Sequence, residues 1–381
     1  MLKAILSLDD FERAARARLP RPIFAYVSGG SEDNVTLEGN RAEFDAYGFV
    51  PRVLADVSKR DVSTTLFGHK YAMPVGIAPM GIMALSAYRG DLVLARAARA
   101  ANIPMVLSGT SLIRLEDVAK EHPGAWFQAY LPGEPARIAA LLDRVAAAGF
   151  RTLVVTVDVA VLPSRENNVR AGFTTPLRPS ARLAWDGLVR PRWLFGTWFR
   201  TLLKHGMPHF ENSFAERGVP ILARNVERDF SKRDHLNWSH LEQIRKHWKA
   251  TLVVKGIMSG ADARLAREVG AEGIVVSNHG GRQLEGTAPA LRVLPDVVRE
   301  AGGITVMIDG GIRRGTHVLK ALALGAKFVF IGRPFNYAAA VGGEAGVAHA
   351  IRLLGVEIDR DLALLGVNSL AGVTPDRMIR L

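Results

Sequence analysis

Residues 125–157 read AWFQAYLPGEPARIAALLDRVAAAGFRTLVVTV, and this stretch shows the pattern that decides the fold. Two short apolar runs, AWFQA (125–129) and TLVVTV (152–157), flank a segment with helical periodicity, RIAALLDRVAAAGF (137–150). The apolar runs are continuous, as expected of strands that are buried on both faces of a parallel sheet. The stretch therefore predicts a strand–helix–strand unit with parallel strands.

The same unit recurs along the chain. Further apolar runs lie at 75–79, 104–108, 251–255, 273–277, 304–309 and 327–331. Helical segments such as GDLVLARAARAAN (90–102) separate them. Eight strand–helix units predict an α/β fold of the (β/α)8 TIM-barrel class. A doubly wound sheet is the alternative, but the first strand is not followed by a G-x-G-x-x-G turn.

We expect a single domain that covers residues 1–381. Three of its segments do not follow the strand–helix repeat. Residues 1–73 precede the barrel (74–335), and we expect them to form helices that cap its bottom. Residues 166–240 form an insertion between strands four and five, far longer than the usual connection of about 2–6 residues. Residues 336–381 are predicted to form C-terminal helices.

The composition excludes several kinds of site. The 381 residues include no cysteine, so disulfides, zinc–thiolate sites, iron–sulfur clusters and cysteine nucleophiles are excluded, and we expect no metal. The net charge of +12 favours an anionic partner, which could be nucleic acid, an anionic membrane surface or an acidic small molecule. The N-terminus resembles an amphipathic helix rather than a signal peptide, and no apolar run reaches the roughly 18 residues of a spanning helix.

The last two strands end in turns that are suited to phosphate. Strand seven leads into IDGGIRRG (308–315) and strand eight into IGRPF (331–335). Gly310 and Gly311 allow the backbone to approach an anion closely, while Arg313 and Arg333 supply charge. A helix predicted to start near Thr316 would direct N–H groups to the same place. Phosphate binding at these two strand ends is typical of barrels.

The other strand ends carry groups for proton transfer. Strand six leads into SNHGGRQ (277–283), which places His279 at the mouth of the barrel. Histidine is suited to proton transfer because its pKa lies near the working pH. Strand four ends in TVDV (156–159), so Asp158 lies at the same mouth and can orient and stabilise a histidine cation.

Charged and polar groups that could bind a substrate lie nearby. Arg282 and Arg165 are candidate clamps for a carboxylate. Strand three contributes Gln128 and Tyr130. Lys255 follows strand five, where a lysine is either a Schiff-base former or a fixed positive charge beside a cofactor.

The motifs SNHGGRQ (277–283), IDGGIRRG (308–315) and WFQAY (126–130) resemble those of the FMN-dependent 2-hydroxy-acid dehydrogenase and oxidase family, which includes L-lactate and mandelate dehydrogenases and glycolate oxidase. The resemblance extends from Phe11 to about Asp376, with the motifs in the family's order. It implies FMN as cofactor and oxidation of an L-2-hydroxy acid to the 2-oxo acid.

The resemblance also implies residue roles. His279 is the base, Asp158 orients it, and Tyr130 meets the substrate hydroxyl. The substrate carboxylate is held by Arg165, Arg282 and Tyr26. The residues expected around the flavin ring are Pro79, Met80, Gly81, Ser108, Gln128, Thr156, Lys255 and Ser277. Those expected at the ribityl-phosphate end are Asp309, Gly310, Gly311, Arg313, Gly332 and Arg333.

Two positions bear on the acceptor and the substrate. Gly81 resembles the membrane-linked dehydrogenases, whereas the oxidases carry alanine, so we expect electrons to pass to a quinone or another respiratory carrier. Thr110 replaces a bulky tryptophan of plant glycolate oxidases and leaves room for the side chain of a lactate- or mandelate-class substrate. The alternatives are a soluble oxidase that reduces O2 to H2O2, and a barrel that holds FMN without turnover.

The insertion indicates where the protein is located. Residues 167–210 carry seven basic side chains and one acid, together with Trp185, Trp193, Phe195, Trp198 and Phe199. This composition suits the headgroup region of an anionic membrane. Packing on the barrel is the alternative, and nucleic acid is disfavoured because no binding module is recognised. We expect a cytoplasmic protein at the inner face of the cell membrane and, by resemblance, a homo-oligomer, a tetramer.

Overall fold

The computed structural model describes residues 2–131, 133–174, 177–223 and 233–381. Eight parallel strands form one sheet: β1 (Val75–Ile77), β2 (Val106–Ser108), β3 (Trp126–Ala129), β4 (Thr152–Thr156), β5 (Thr251–Ile257), β6 (Gly273–Val276), β7 (Thr305–Asp309) and β8 (Phe328–Ile331). β8 pairs with β1, and a parallel bridge between Ile77 and Met105 joins β1 to the chain entering β2. The predicted barrel is confirmed, and the doubly wound sheet is wrong.

The strands are buried on both faces, which explains their continuous apolar runs. The barrel interior is filled by Ala78, Val106, Trp126, Val154, Val253, Val275, Met307, Phe328 and Phe330. The opposite faces pack against one helix per strand: Gly90–Ala100, Leu115–Glu121, Pro135–Ala147, Trp238–His247, Gly260–Glu268, Ala290–Glu300, Gly315–Ala323 and Arg333–Leu365.

The N-terminal segment is divided between the two ends of the barrel. A hairpin of Thr64–Leu66 and His69–Tyr71 inserts Leu66 and Tyr71 at the start of the strands, where Tyr71 contacts Phe328. The helices α1 (Leu8–Arg18), α2 (Arg21–Ser28) and α3 (Val35–Ala42) come before it. α2 lies at the opposite end, because the carbonyls of Val27 and Gly29 accept hydrogen bonds from Arg333. The expectation that helices of 1–73 cap the bottom is therefore wrong: the hairpin closes that end.

The C-terminal segment is a long helix followed by a strand that pairs with the N-terminal segment. Its helix, Arg333–Leu365, is interrupted at Gly343, which has a φ of 57°. The strand Met378–Arg380 then pairs with Tyr47–Phe49 in an antiparallel ribbon. Short 3-10 turns complete the chain at Leu2–Ala4, Glu43–Ala46, Leu370–Gly372 and Pro375–Arg377.

The insertion between β4 and β5 folds as short helices on the outside of the barrel. They are Glu166–Ala171, Ala181–Leu188, Pro191–Trp193, a π-helical turn Leu194–Phe199, and Arg200–His205. Trp193 is buried and donates from Nε1 to the Leu85 carbonyl at 2.6 Å. Arg200 lies over the ring of Tyr88 at 3.9 Å. Trp193 is thus an anchor to the barrel, and for this side chain the structure agrees with the alternative of packing on the barrel.

Candidate active site

A cavity of about 490 Å³ lies at the carboxyl ends of the strands, within the roughly 300–1,000 Å³ range of small-molecule sites. The predicted residues that line it are Tyr26, Pro79, Met80, Gly81, Tyr130, Thr156, Arg165, Lys255, His279, Arg282, Asp309, Gly310, Gly311, Arg313, Gly332 and Arg333. The other four lie behind this lining and hydrogen-bond to it or to one another: Ser108, Gln128, Asp158 and Ser277. The structure therefore brings the predicted set together.

The turn after β6 explains the glycines of the histidine motif. His279, Gly280 and Gly281 have successive φ angles of 58°, 64° and 72°, a left-handed path that favours glycine. A Cβ on Gly281 would lie 2.5 Å from the backbone nitrogen of Leu37, so α3 can approach only a glycine there. The turn directs His279 into the cavity.

A reciprocal amide pair holds this turn against α3. Nδ2 of Asn40 donates to Oδ1 of Asn278 at 2.8 Å, and Nδ2 of Asn278 donates to Oδ1 of Asn40 at 2.9 Å. Oδ1 of Asn278 also accepts from the Gly281 N–H. Sequence reasoning missed this pair, although Asn278 lies within the quoted motif.

Asp158 fixes the orientation of His279. Nδ1 of His279 lies 3.0 Å from a carboxylate oxygen of Asp158, which leaves Nε2 facing the cavity, 3.4 Å from the hydroxyl of Tyr130. Burial lowers the pKa of His279, although the Asp158 charge opposes this. Burial tends to raise the pKa of Asp158, but the charge and hydrogen bond of His279 bring it below its usual value. A neutral imidazole with a free Nε2 beside a carboxylate is a general base.

Two guanidinium groups lie on the same side of the cavity. Nη1 of Arg282 donates to the carbonyls of Tyr26 and Gly29 at 2.8 and 2.6 Å, and within the described chain its Nε and Nη2 make no hydrogen bond. Arg165 donates to the Arg282 carbonyl. Burial, with the charges of Arg165 and Arg333, lowers the pKa of Arg282 to about 9. Buried cations with free donors favour an anionic ligand, such as a carboxylate.

The flavin side of the cavity carries a buried charge network. Nζ of Lys255 donates to Ser277 at 2.8 Å and lies 3.2 Å from Asp309. Burial tends to lower the pKa of Lys255, but Asp309 and Asp158 raise it overall, so this lysine is a fixed positive charge. Among the described residues, buried polar atoms without a partner include Gln128 Nε2, Thr156 Oγ1 and Asp309 Oδ1. Such atoms are costly unless a ligand satisfies them.

The phosphate end is a glycine turn next to a helix. Gly310 and Gly311 have φ angles of 100° and 78°, and the helix Gly315–Ala323 starts one residue before the predicted Thr316. Arg313 is buried, and among the described residues its Nε makes no hydrogen bond.

Arg333 has more structural contacts than the sequence suggests. Its three nitrogens donate to the carbonyls of Val27, Gly280 and Gly29 at 2.9–3.0 Å. It therefore fastens α2 to the turn after β6, and Arg313 is the better candidate for a direct phosphate contact.

Several cavity residues lack a predictive sequence signal. Phe173 and Phe210 come from the insertion, and Phe173 stacks on Tyr26 with ring centroids 4.5 Å apart. Asn336 lies one helical turn after Arg333, and that spacing could have indicated it. The two phenylalanines belong to the apolar part of the cavity lining, together with Val159, Leu162 and Val169.

Gly81 has a local steric role as well as the one implied by resemblance. A Cβ at this position would lie 2.3 Å from Oγ1 of Thr110, whose hydroxyl is 3.0 Å from that of Ser108. Alanine would therefore displace Thr110.

In the described ranges no group of three acidic or histidine side chains is arranged to hold a metal ion. The cavity joins a histidine held by a carboxylate, two buried arginines and a glycine turn beside a third arginine at the mouth of a parallel barrel. Together these define a barrel oxidoreductase of the flavin type, because a fixed lysine charge and unpartnered polar atoms lie where a cofactor ring would be held.

Comparisons with known proteins give the same class. The model of the FMN-dependent dehydrogenase family matches residues 15–380. An (S)-mandelate dehydrogenase of Pseudomonas putida is 36% identical over 99% of this chain and 94% of its own length. An L-lactate dehydrogenase of Azorhizobium caulinodans is 38% identical over 99% of both chains.

Solved structures show the same similarity. The crystal structure of the monotopic membrane protein (S)-mandelate dehydrogenase has a TM-score of 0.91 at 36% identity, covering 99% of this chain and 100% of that one. A mandelate oxidase has a TM-score of 0.81 at 33% identity, with 98% of each chain covered. The chain belongs to the FMN-dependent dehydrogenase family, and FMN is its cofactor.

The residues present fit FMN. The unpartnered Gln128, Thr156 and Asp309 atoms suit the polar edge of a flavin ring, and the turn at Gly310 and Gly311 with Arg313 suits its phosphate. We infer that these residues hold the cofactor.

Replacing Arg313 with alanine is expected to weaken FMN binding. A charge-assisted hydrogen bond contributes about 1.5–3 kcal/mol, which corresponds to roughly 10- to 150-fold in Kd. Titration of apoprotein with FMN, followed by quenching of flavin fluorescence, measures this. Arg314→Ala is the matched control, because Arg314 is exposed and paired with Glu357 at 3.1 Å. Equal losses of FMN affinity in both variants would show that Arg313 does not contact the phosphate.

Proposed function

We propose that the protein oxidises an L-2-hydroxy acid to the 2-oxo acid. The observation that carries this proposal is the base at the cavity: His279 Nε2 faces the space between Tyr130 and the two guanidinium groups, with Nδ1 held by Asp158 at 3.0 Å. The names of the relatives, which include mandelate and lactate dehydrogenases, support the same chemistry.

Each residue has a distinct task in this reaction. Arg165 and Arg282 hold the substrate carboxylate, and Tyr130 contacts the hydroxyl. Nε2 of His279 takes a proton, and Asp158 stabilises the resulting imidazolium. FMN, when bound, accepts the two electrons that leave the substrate. The substrate loses two protons and two electrons in all: His279 takes one proton and the flavin would take the other with the two electrons, which gives the 2-oxo acid.

The apolar side of the cavity supports a substrate with a large side chain. Leu162, Val169, Phe173 and Phe210 line it, and Thr110 also lines the cavity. Burial of apolar area stabilises a bound phenyl or branched side chain by roughly 25 cal/mol per Å². We expect mandelate-class acids to bind more tightly than lactate, and lactate more tightly than glycolate.

Anaerobic reduction of the purified yellow protein tests the proposed reaction. Flavin bleaching is followed after mixing with glycolate and with each enantiomer of lactate and of mandelate. The expected result is fast bleaching by L-acids with larger side chains. A flavin that no 2-hydroxy acid reduces would instead indicate a barrel that holds FMN without turnover.

We also propose that the insertion attaches the protein to the anionic inner face of the cell membrane. No helix in the described part of the chain is long and apolar enough to cross a membrane. The insertion nevertheless exposes Trp185, Leu188, Phe195, Phe199 and Leu203 among its basic residues. The similarity to a monotopic membrane protein supports this location.

Replacing Trp185, Phe195 and Leu203 together with serine is expected to release the protein from anionic vesicles. Fully buried side chains of this size contribute about 1.5–3 kcal/mol each, so binding should fall by more than about 100-fold. Co-sedimentation at low salt measures it, and Leu265→Ser is the control. Deletion of the whole segment is less suitable, because it removes the Trp193 anchor and Phe210. Unchanged sedimentation of the triple variant would contradict the proposal.

Membrane attachment favours a quinone or another respiratory carrier as electron acceptor. The similarity to a monotopic membrane protein, (S)-mandelate dehydrogenase, supports this choice. The reduced protein is expected to react quickly with a quinone and slowly with O2. If O2 is consumed at the same rate as substrate and H2O2 accumulates, the protein is instead a soluble oxidase.

The tetramer implied by the resemblance stays a prediction. An exposed apolar cluster at Val53, Leu54 and Leu364 supports association of copies of this chain, because apolar patches commonly mark interfaces. Light scattering after size-exclusion chromatography measures the oligomeric state.

A further inference from the structure

The mouth of the catalytic cavity has an unusually apolar outer rim. Val161 is 63% exposed, Leu162 55% and Val169 72%, and Leu162 and Val169 also line the cavity. We call these three residues the collar. The segment 157–165 contains one acid, Asp158, whose carboxylate points inward to His279. The next acid along the chain, Glu166, is paired with Arg170, so the apolar side chains of the rim lie beside a neutralised ion pair.

The collar is continuous with the exposed surface of the insertion. Val169 lies on the helix Glu166–Ala171, and the carbonyl of the next residue, Arg170, accepts hydrogen bonds from Arg21 at 3.3 Å and Arg182 at 3.4 Å. Arg182 starts the helix Ala181–Leu188, and Trp185, 64% exposed, follows one turn later. The helix that carries Val169 is therefore a neighbour of the helix Ala181–Leu188, and exposed apolar side chains and guanidinium groups occur on both.

We propose that the mouth of the catalytic cavity faces the bilayer and that lipid covers the collar, so that ligands reach the cavity from the membrane interface. This inference rests on the proposed membrane attachment and goes beyond it, since an insertion could anchor a protein whose active site faces water. Exposed apolar groups next to basic ones match the boundary between headgroups and acyl chains.

This orientation defines which ligands have easy access. An amphiphilic acid can place its carboxylate at Arg165 and Arg282 while its apolar part passes the collar. A lipid-dissolved, two-electron acceptor can approach the same mouth without leaving the membrane.

Single-cysteine labelling tests the orientation directly, because the chain has no cysteine of its own. Three holoprotein variants, Val161→Cys, Leu188→Cys and Leu265→Cys, each receive one environment-sensitive fluorophore. Position 161 reports on the collar and 188 on the insertion. Leu265, 37% exposed on an outer barrel helix, is the control. Emission is measured with and without anionic vesicles that carry a lipid-bound quencher.

The expected result is a blue shift and quenching at positions 161 and 188, with no change at 265. A response at 188 alone would overturn the proposed orientation and leave membrane attachment standing. No response at either position would overturn both.

Val161→Asp provides an independent measurement. The added charge and the lost apolar contact should lower vesicle binding by about tenfold or more. Leu265→Asp should leave it unchanged, and equal binding of both variants would contradict the proposal.

Discussion

Replacing His279 with glutamine is expected to slow flavin reduction by at least about 10²–10⁴-fold, the usual contribution of a general base. Glutamine occupies a similar volume and retains a polar end group, but it cannot accept a proton at neutral pH. The loss should be large because Nε2 of His279 faces the substrate side, while Nδ1 is already engaged by Asp158 at 3.0 Å.

Stopped-flow bleaching under anaerobic conditions measures this loss, and FMN content is the internal control. FMN should remain bound, because the phosphate turn at Gly310 and Gly311 is built from a different strand end. Near-normal reduction with normal FMN content would show that another group is the base.

Replacing Asp158 with asparagine is expected to lower the same rate by about 10²-fold or more, since an amide can hold the wrong imidazole tautomer. The pH profile should change as well. Burial lowers the pKa of His279, and the Asp158 charge opposes that shift. The base works in its neutral form, so activity falls as pH drops through this pKa. Without the Asp158 charge the pKa falls further, and the acid limb should move to lower pH.

The profile of kcat/KM against pH measures both effects in one experiment. Asp143→Asn is the matched control, because Asp143 also pairs with a histidine, His247 at 2.7 Å, on the exposed outside of the barrel. The control should keep the wild-type rate and profile. If the plateau value of kcat/KM in Asp158→Asn equals that of the wild type, Asp158 does not position His279.

Much of the barrel could be predicted from the sequence, because the apolar pattern of each strand depends only on residues that are neighbours in the chain. Strands buried on both faces must be continuously apolar, and each observed strand falls within about two residues of its predicted start and end. The carboxyl ends of parallel strands meet at one mouth, so His279, Asp158 and Lys255 could be placed together before any coordinate was known.

The division of labour among similar side chains could not be predicted in this way. Trp193 is buried against Leu85, while Trp185 is exposed. The sequence does not distinguish them, because both are tryptophans within the same basic segment. Arg313 and Arg333 both follow glycine turns, yet Arg333 donates to backbone carbonyls of the N-terminal segment.

The sequence by itself determined the strands and the family and provided the candidate base, because periodicity and motif spacing are properties of neighbouring residues. The tertiary structure alone decided that α2 reaches the catalytic mouth and that Asn40 pairs with Asn278. These contacts join segments distant in the chain, Asn40 and Asn278 being 238 residues apart. Which face of a helix meets which distant partner depends on packing and hydrogen bonding in the folded chain, and local sequence does not encode it.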